Sequence, residues 1–277
     1  MRPVHGLTGY PSSAGADPPV LVLLPPSEGK RAPKRGKPLD LDALHNAALT
    51  SRRRMVLDSL VSLCSGPLDQ AAAVLGAGPT LTAEVARNAA LASAPTAPAR
   101  SVYSGVLYDA LGLDDLPRGA SRRATASLLI FSALFGVLRT TDRIPAYRLS
   151  GGVDLPGIGR VASSWHAALS DVVPPLAGDG VVVDLRSGTY LPMWRPRRDL
   201  ASRVVRVRVV SEVDGERLAV THQSKATKGR VARSLVLDSG RPRGRADLAD
   251  HLVTLGWTVG SSPDSQGLDV LEGEPRG

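Results

Sequence analysis

Residues 20–30 read VLVLLPPSEGK, five apolar residues that stop abruptly at a Pro-Pro pair and a charged turn. A continuous apolar run of that length fits a strand buried on both faces, because a strand with one wet face alternates instead. The pattern recurs along the chain. SLLIF (127–131) leads through SALFGVL to Arg139, Asp142, Arg143, Tyr147 and Arg148. VVVDL (181–185) leads to RSGTY (186–190), and LAVTH (218–222) leads to QSKATKGR (223–230). RVVRVRVVSEV (203–213) differs: Arg206 and Arg208 alternate with valines, as in a strand with one solvated face. Helical spacing lies between these runs, at 39–64, 68–75, 82–91, 161–173 and 224–237. Such a mixture predicts an α/β or α+β domain, and in such sheets ligands gather outside the carboxyl ends of the strands.

The chain has 277 residues, 43% of them hydrophobic, which suits a globular protein and excludes a disordered one. Its expected organisation is a disordered N-terminal extension (1–19), one domain (20–260) and an acidic flexible tail (261–277). ASAPTAPAR (92–100) is the only candidate hinge. No apolar run approaches the roughly 18–20 residues that cross a bilayer. Residues 1–19 also lack the apolar core of a secretory signal, so a cytoplasmic location without membrane partners is expected. Cys64 is the single cysteine and falls in a helical apolar pattern, which excludes an intramolecular disulfide and reads as a small core residue. The five histidines show no metal-ligand spacing, and neither a metal nor a cofactor is expected.

The formal charge is +8, and it is unevenly distributed. Residues 195–245 hold fourteen Lys and Arg against five Asp and Glu, a local field that attracts polyanions. PPSEGKR (25–31) lacks the first glycine of a P-loop and carries Arg31 where that loop needs Ser or Thr, so nucleotide hydrolysis by that route is excluded. GIGRVA (157–162) matches a dinucleotide fingerprint by chance, since no strand precedes it. LPGIG (155–159) and LGAGPTLTAEVA (75–86) each resemble the hairpin of a helix-hairpin-helix module. In the second, Gly76 and Gly78 would offer backbone N–H groups to a DNA phosphate. With Ser224 as N-cap, Lys225 and Lys228 fall in the first turns of a helix, where cations oppose the helix dipole unless an anion is bound. The polar residues at strand ends (Ser27, Glu28, Tyr103, Asp184, Ser187, Tyr190, His222 and Lys225) offer more acid, base and hydroxyl chemistry than phosphate tethering needs. Of these, Glu28, Asp184, Tyr190, His222 and Lys225 are the catalytic candidates of an enzyme acting on a small anionic, nucleotide-like or phosphorylated substrate.

Taken together, LVLLPPSEGK, VYSGVLYDALGL (102–113), LLIFSALFGVLRTTDRIPAYRLSGG, VVDLRSGTYLPMW and THQSKATKGRVARSLV resemble the YaaA family of peroxide-stress-resistance proteins, in the family's order. The resemblance implies a single compact domain with a mixed central sheet, surrounding helices, a basic cleft and a helix-hairpin-helix-like element. It also implies binding to double-stranded DNA, through phosphates and without sequence preference, and a role in limiting iron-dependent oxidative damage. Carried onto this chain, the cleft residues are Lys30, Arg139, Asp142, Tyr147, Arg148, Lys225, Lys228 and Arg230. Ser27, Arg143, Ser187 and Ser224 join them as anion or DNA contacts. Two alternatives therefore stand: a DNA-binding stress protein, or an enzyme for a small anion in the same cleft.

Overall fold

Val20–Leu24 forms the strand that its apolar run predicts, with all five residues buried. The computed structural model describes residues 20–76, 82–213, 216–219 and 224–275, and places this strand inside a mixed sheet of eight. Leu128–Ser132 lies parallel to it on one side and Val181–Asp184 parallel on the other. Val204–Val213 adds parallel to Val181–Asp184, and Gly267–Leu271 parallel to Val204–Val213. Numbered along the chain, the five parallel strands stand in the order 2-1-3-4-5. Gly136–Leu138, Glu216–Ala219 and Val259–Ser261 complete the sheet as antiparallel additions.

That order contains one topological switch point. The chain leaves the first parallel strand for the second on one side, then returns to place the third on the other side. Connections from the first and third strands therefore diverge and leave a crevice between their carboxyl ends. The register brings those ends level: Leu23 stands opposite Asp184, and the Leu185 N–H donates to the Leu23 carbonyl at 3.0 Å. Pro25 and Leu185 thus leave the sheet side by side.

Much of the basic charge is committed to holding this frame. Arg53 is fully buried and donates to the carbonyls of His45, Asn46, Phe135 and Val137. Arg123 donates to the carbonyls of Val236 and Leu237, Arg203 to those of Gly178 and Gly180, and Arg233 to those of Leu111 and Gly112. Each of these three caps the carbonyl end of a helix, where orphan acceptors and the dipole both favour a cation.

Several expectations change. Residues 267–271 belong to the sheet, with Gly267 to Val270 buried, so the 261–277 segment is not simply a flexible tail. Its Asp269 is held by Arg208 of the neighbouring strand at 2.8 Å, which lets a polar stretch join the sheet. The strand expected at 218–222 is Glu216–Ala219, an antiparallel partner of Val204–Val213 rather than another parallel strand. Helix over 39–64 begins only at Thr50, after a short 3-10 turn at Ala47–Leu49. Within 92–100, Ala97–Pro98 pairs with Arg143–Ile144, which ties the candidate hinge to the domain. LPGIG forms a small hairpin between Asp154–Leu155 and Gly159–Arg160, not a connection between helices. Residues 1–19 lie outside the described residues.

Candidate functional site

The turn after the first strand and the loop after the third form two walls of a cavity of about 410 Å3 at the switch point. On the first wall, Pro25 to Gly29 make a turn fixed by its own side chains. The Ser27 hydroxyl donates to the Gly29 carbonyl and accepts the Ser104 N–H at 3.2 Å. Arg31 N–H donates to the Val102 carbonyl, and Lys30 and Tyr103 form a β-bridge, so the turn is zipped to residues 102–104.

The second wall depends on a buried ion pair. Arg186 makes a two-pronged contact with Asp184, at 2.9 and 2.7 Å, and also donates to the carbonyls of Tyr190 and Trp194. Its guanidinium lies 4.4 Å from the Phe131 ring centroid. These contacts fold the chain back and present Ser187, Thr189 and Tyr190 to the cavity. Burial raises the Tyr190 pKa, so its phenol stays neutral and can donate a hydrogen bond.

Two helices close the site. Val106–Leu111 starts at Gly105, whose φ of 98° favours glycine, and Ser224–Leu237 packs across it. A Cβ on Gly229 would collide with the Leu107 carbonyl and sit 2.9 Å from the Ala110 Cβ, so glycine sets this close crossing. The crossing brings Lys225 and Lys228 to the cavity lining. Lys228 Nζ donates to the Leu185 carbonyl at 3.1 Å; burial lowers its pKa, and the Asp184 charge works the other way. Lys225 is exposed and makes no ion pair among the described residues. Glu28 is the one carboxylate in the lining among the described residues. Among the described residues no group of three His, Cys, Asp or Glu is placed to hold a metal ion.

Lys30 does not line the cavity but grips the turn that does. Its Nζ donates to the carbonyls of Ser27 and Glu28, at 2.8 and 3.4 Å, and lies 4.2 Å from the Tyr147 ring centroid. Burial, and then the Arg148 guanidinium, pull its pKa down to about 7. Tyr147 shares hydrogen bonds with Tyr103 and Ser132, at 2.8 and 2.7 Å, in a buried hydroxyl chain. Arg148 is 3.6 Å from Glu84, and Asn88 holds its backbone from both sides.

Of the residues singled out by sequence, Ser27, Glu28, Ser187, Tyr190, Ser224, Lys225 and Lys228 meet in this cavity. Lys30, Tyr147 and Arg148 adjoin it through the contacts above. Asp184 is occupied by Arg186 and is not in the lining. Arg139 and Arg143 donate to the carbonyls of Ala126 and Thr96, and the Asp142 carboxylate accepts the N–H groups of His45 and Arg139. Arg230 pairs with Glu274 at 3.0 Å and lines a separate hollow with Glu212 and Glu272. Gly76 ends the Leu68–Leu75 helix in the left-handed region, whereas Gly78 and His222 lie outside the described residues. Sequence reading missed Ser104, Val106, Tyr108, Ser150 and Thr189. The glycine in Ser104-Gly105 just before a helix was the available signal for the first two.

The fold and site define a class: an open α/β protein with a polar, amine-bearing cavity at its switch point. The family model described as peroxide stress protein YaaA matches residues 20–243, and the chain belongs to that family. A UPF0246 protein of Streptomyces coelicolor is 47% identical over 257 residues, covering 91% of this chain and 98% of its own. A UPF0246 protein of Corynebacterium efficiens is 42% identical over 246 residues, covering 87% and 94%. Another, from Corynebacterium glutamicum, is 39% identical over 249 residues, covering 88% and 96%.

Proposed function

We propose that the switch-point cavity binds a small anionic ligand and that this binding underlies the chain's part in peroxide stress. The observation that carries the reading is the meeting of Lys225 and Lys228 in a cavity that has, among the described residues, a single carboxylate and a set of hydroxyls. Ammonium groups and hydroxyl donors converging on one space suit an oxyanion, because charge-assisted hydrogen bonds are the stronger kind. Glu28 lies in the same lining as the group available for proton transfer to a bound ligand. Calorimetric titration of the full chain with inorganic phosphate at low salt tests the reading. Binding weakened about ten-fold or more by Lys225→Met and by Lys228→Met supports it. Absence of binding, or binding indifferent to both changes, overturns it.

A second reading is association with double-stranded DNA, limiting iron-dependent damage, as the family resemblance implies. One observation favours it. Arg100, Arg118 and Arg122 line an open hollow of about 570 Å3 where, among the described residues, Asp114 is the one acid and none of the three arginines makes an ion pair. Contacts of that kind are to phosphates, so affinity must fall steeply with salt. Gel shifts on duplex DNA at several salt concentrations, with Arg118→Gln/Arg122→Gln as comparison, decide it; binding undetectable at low salt contradicts it.

A further inference from the structure

We propose that the ligand of the switch-point cavity is a phosphorylated nucleoside, its phosphate on the lysine wall and its ring on an apolar wall opposite in character. The inference rests on the anion-binding reading above and adds the chemistry of the rest of the ligand. Lys225 and Lys228 both come from the Ser224–Leu237 helix, so among the described residues the cationic groups are confined to one element of the lining. Other elements supply a different surface: Pro25 and Pro26 after the first strand, Val106 at the start of its helix, and the Tyr190 ring.

Val106 is the telling residue. The residue is 52% exposed although it borders an indented site, and it is one of few large apolar residues so exposed among the described ones. An apolar group left wet at a cavity edge gains free energy when a flat apolar body covers it. The same lining carries the hydroxyls of Ser104, Ser187 and Thr189, which match the hydroxyl-rich middle of a nucleoside phosphate. Inorganic phosphate alone would leave the apolar surface uncovered. The volume argues in the same direction. About 410 Å3 falls in the range of roughly 300–1,000 Å3 typical of small-ligand sites and is far too small for a duplex. The strand order places the cavity where open parallel sheets commonly take nucleotides.

The test uses the full chain and three kinds of probe in calorimetric titrations at one ionic strength: inorganic phosphate, the four common nucleosides, and their 5′-monophosphates. At least one monophosphate is expected to bind ten-fold or more tightly than both phosphate and its own nucleoside. Lys225→Met is expected to weaken phosphate and monophosphate alike. Val106→Ser, at an exposed position that does not threaten folding, is expected to weaken the monophosphate at least three-fold and leave phosphate unchanged. Equal affinity for phosphate and every monophosphate overturns the nucleoside assignment while the anion site stands. Failure of all probes overturns both. Monophosphate binding that ignores both substitutions places the ligand elsewhere and overturns the assignment to this cavity.

Discussion

Replacing Arg186 by Met probes the device that shapes the second wall of the cavity. The Arg186 side chain is 2% exposed and that of Asp184 6%, and the two are joined by a two-pronged contact. Methionine fills similar space but leaves the Asp184 carboxylate buried without its countercharge. The carbonyls of Tyr190 and Trp194 lose a donor as well. Breaking one side of a buried pair costs about 3–5 kcal/mol, because the remaining charge keeps its full desolvation penalty. At about 2–4 °C per kcal/mol for a domain of this size, Tm should fall by roughly 6–20 °C. Urea unfolding followed by circular dichroism measures the loss directly. Asp184→Leu/Arg186→Met removes both charges and should recover part of it, since an apolar pair has no stranded ion. As a control, the exposed Arg31–Asp109 pair, with side chains 66% and 59% exposed, should be nearly neutral to remove. A loss below about 1 kcal/mol for Arg186→Met, or a double variant less stable than the single, would refute the reasoning.

Four further outcomes follow from the geometry. Glu28→Gln removes a carboxylate from the lining and should tighten phosphate binding about two- to five-fold at low salt, an effect that fades as salt rises; unchanged or weaker binding by calorimetry would count against the site. Burial holds the Lys30 pKa in the folded chain at about 7, below the 10.5 of a solvated lysine, so between those values the unfolded chain binds more protons and stability rises with pH. Lys30→Met removes that dependence and should compare more favourably with the parent at pH 6 than at pH 10 in urea unfolding; the opposite trend contradicts the assignment. Gly229→Ala should cost about 1–3 kcal/mol by forcing apart the two helices that frame the cavity, and should weaken phosphate binding with it; full stability would show that the crossing tolerates a methyl group. Cys64 is buried and its thiol pKa is pushed up, so hydrogen peroxide should leave it unmodified in the folded chain, as mass spectrometry after alkylation in denaturant would reveal.

The central strands were legible because burial on both faces demands unbroken apolar runs, and Val20–Leu24, Leu128–Ser132 and Val181–Asp184 each carry one. The Gly267–Leu271 strand was hidden by Asp269, whose cost of burial is met by Arg208, more than fifty positions earlier in the chain. The Arg118–Ser127 helix, RGASRRATAS, was hidden by its lack of an apolar stripe; it buries only Ala120, Ala124 and Ser127. Site residues at strand ends could be named because open sheets gather function there, and Ser27, Glu28, Ser187, Tyr190, Lys225 and Lys228 do share a cavity. What composition could not separate was the destination of each arginine. A guanidinium that caps a helix, as Arg123, Arg203 and Arg233 do, reads in sequence like one that faces solvent. Arg139, carried to the cleft by the family resemblance, and Arg143, named with it as an anion or DNA contact, each donate to a chain carbonyl instead.

Diffraction from crystals of this chain soaked in tungstate, an oxyanion with strong anomalous scattering, would locate its favoured anion directly. A highest peak within reach of the Lys225 and Lys228 amines is the predicted result. A highest peak among Arg100, Arg118 and Arg122, with none between the two lysines, would contradict it.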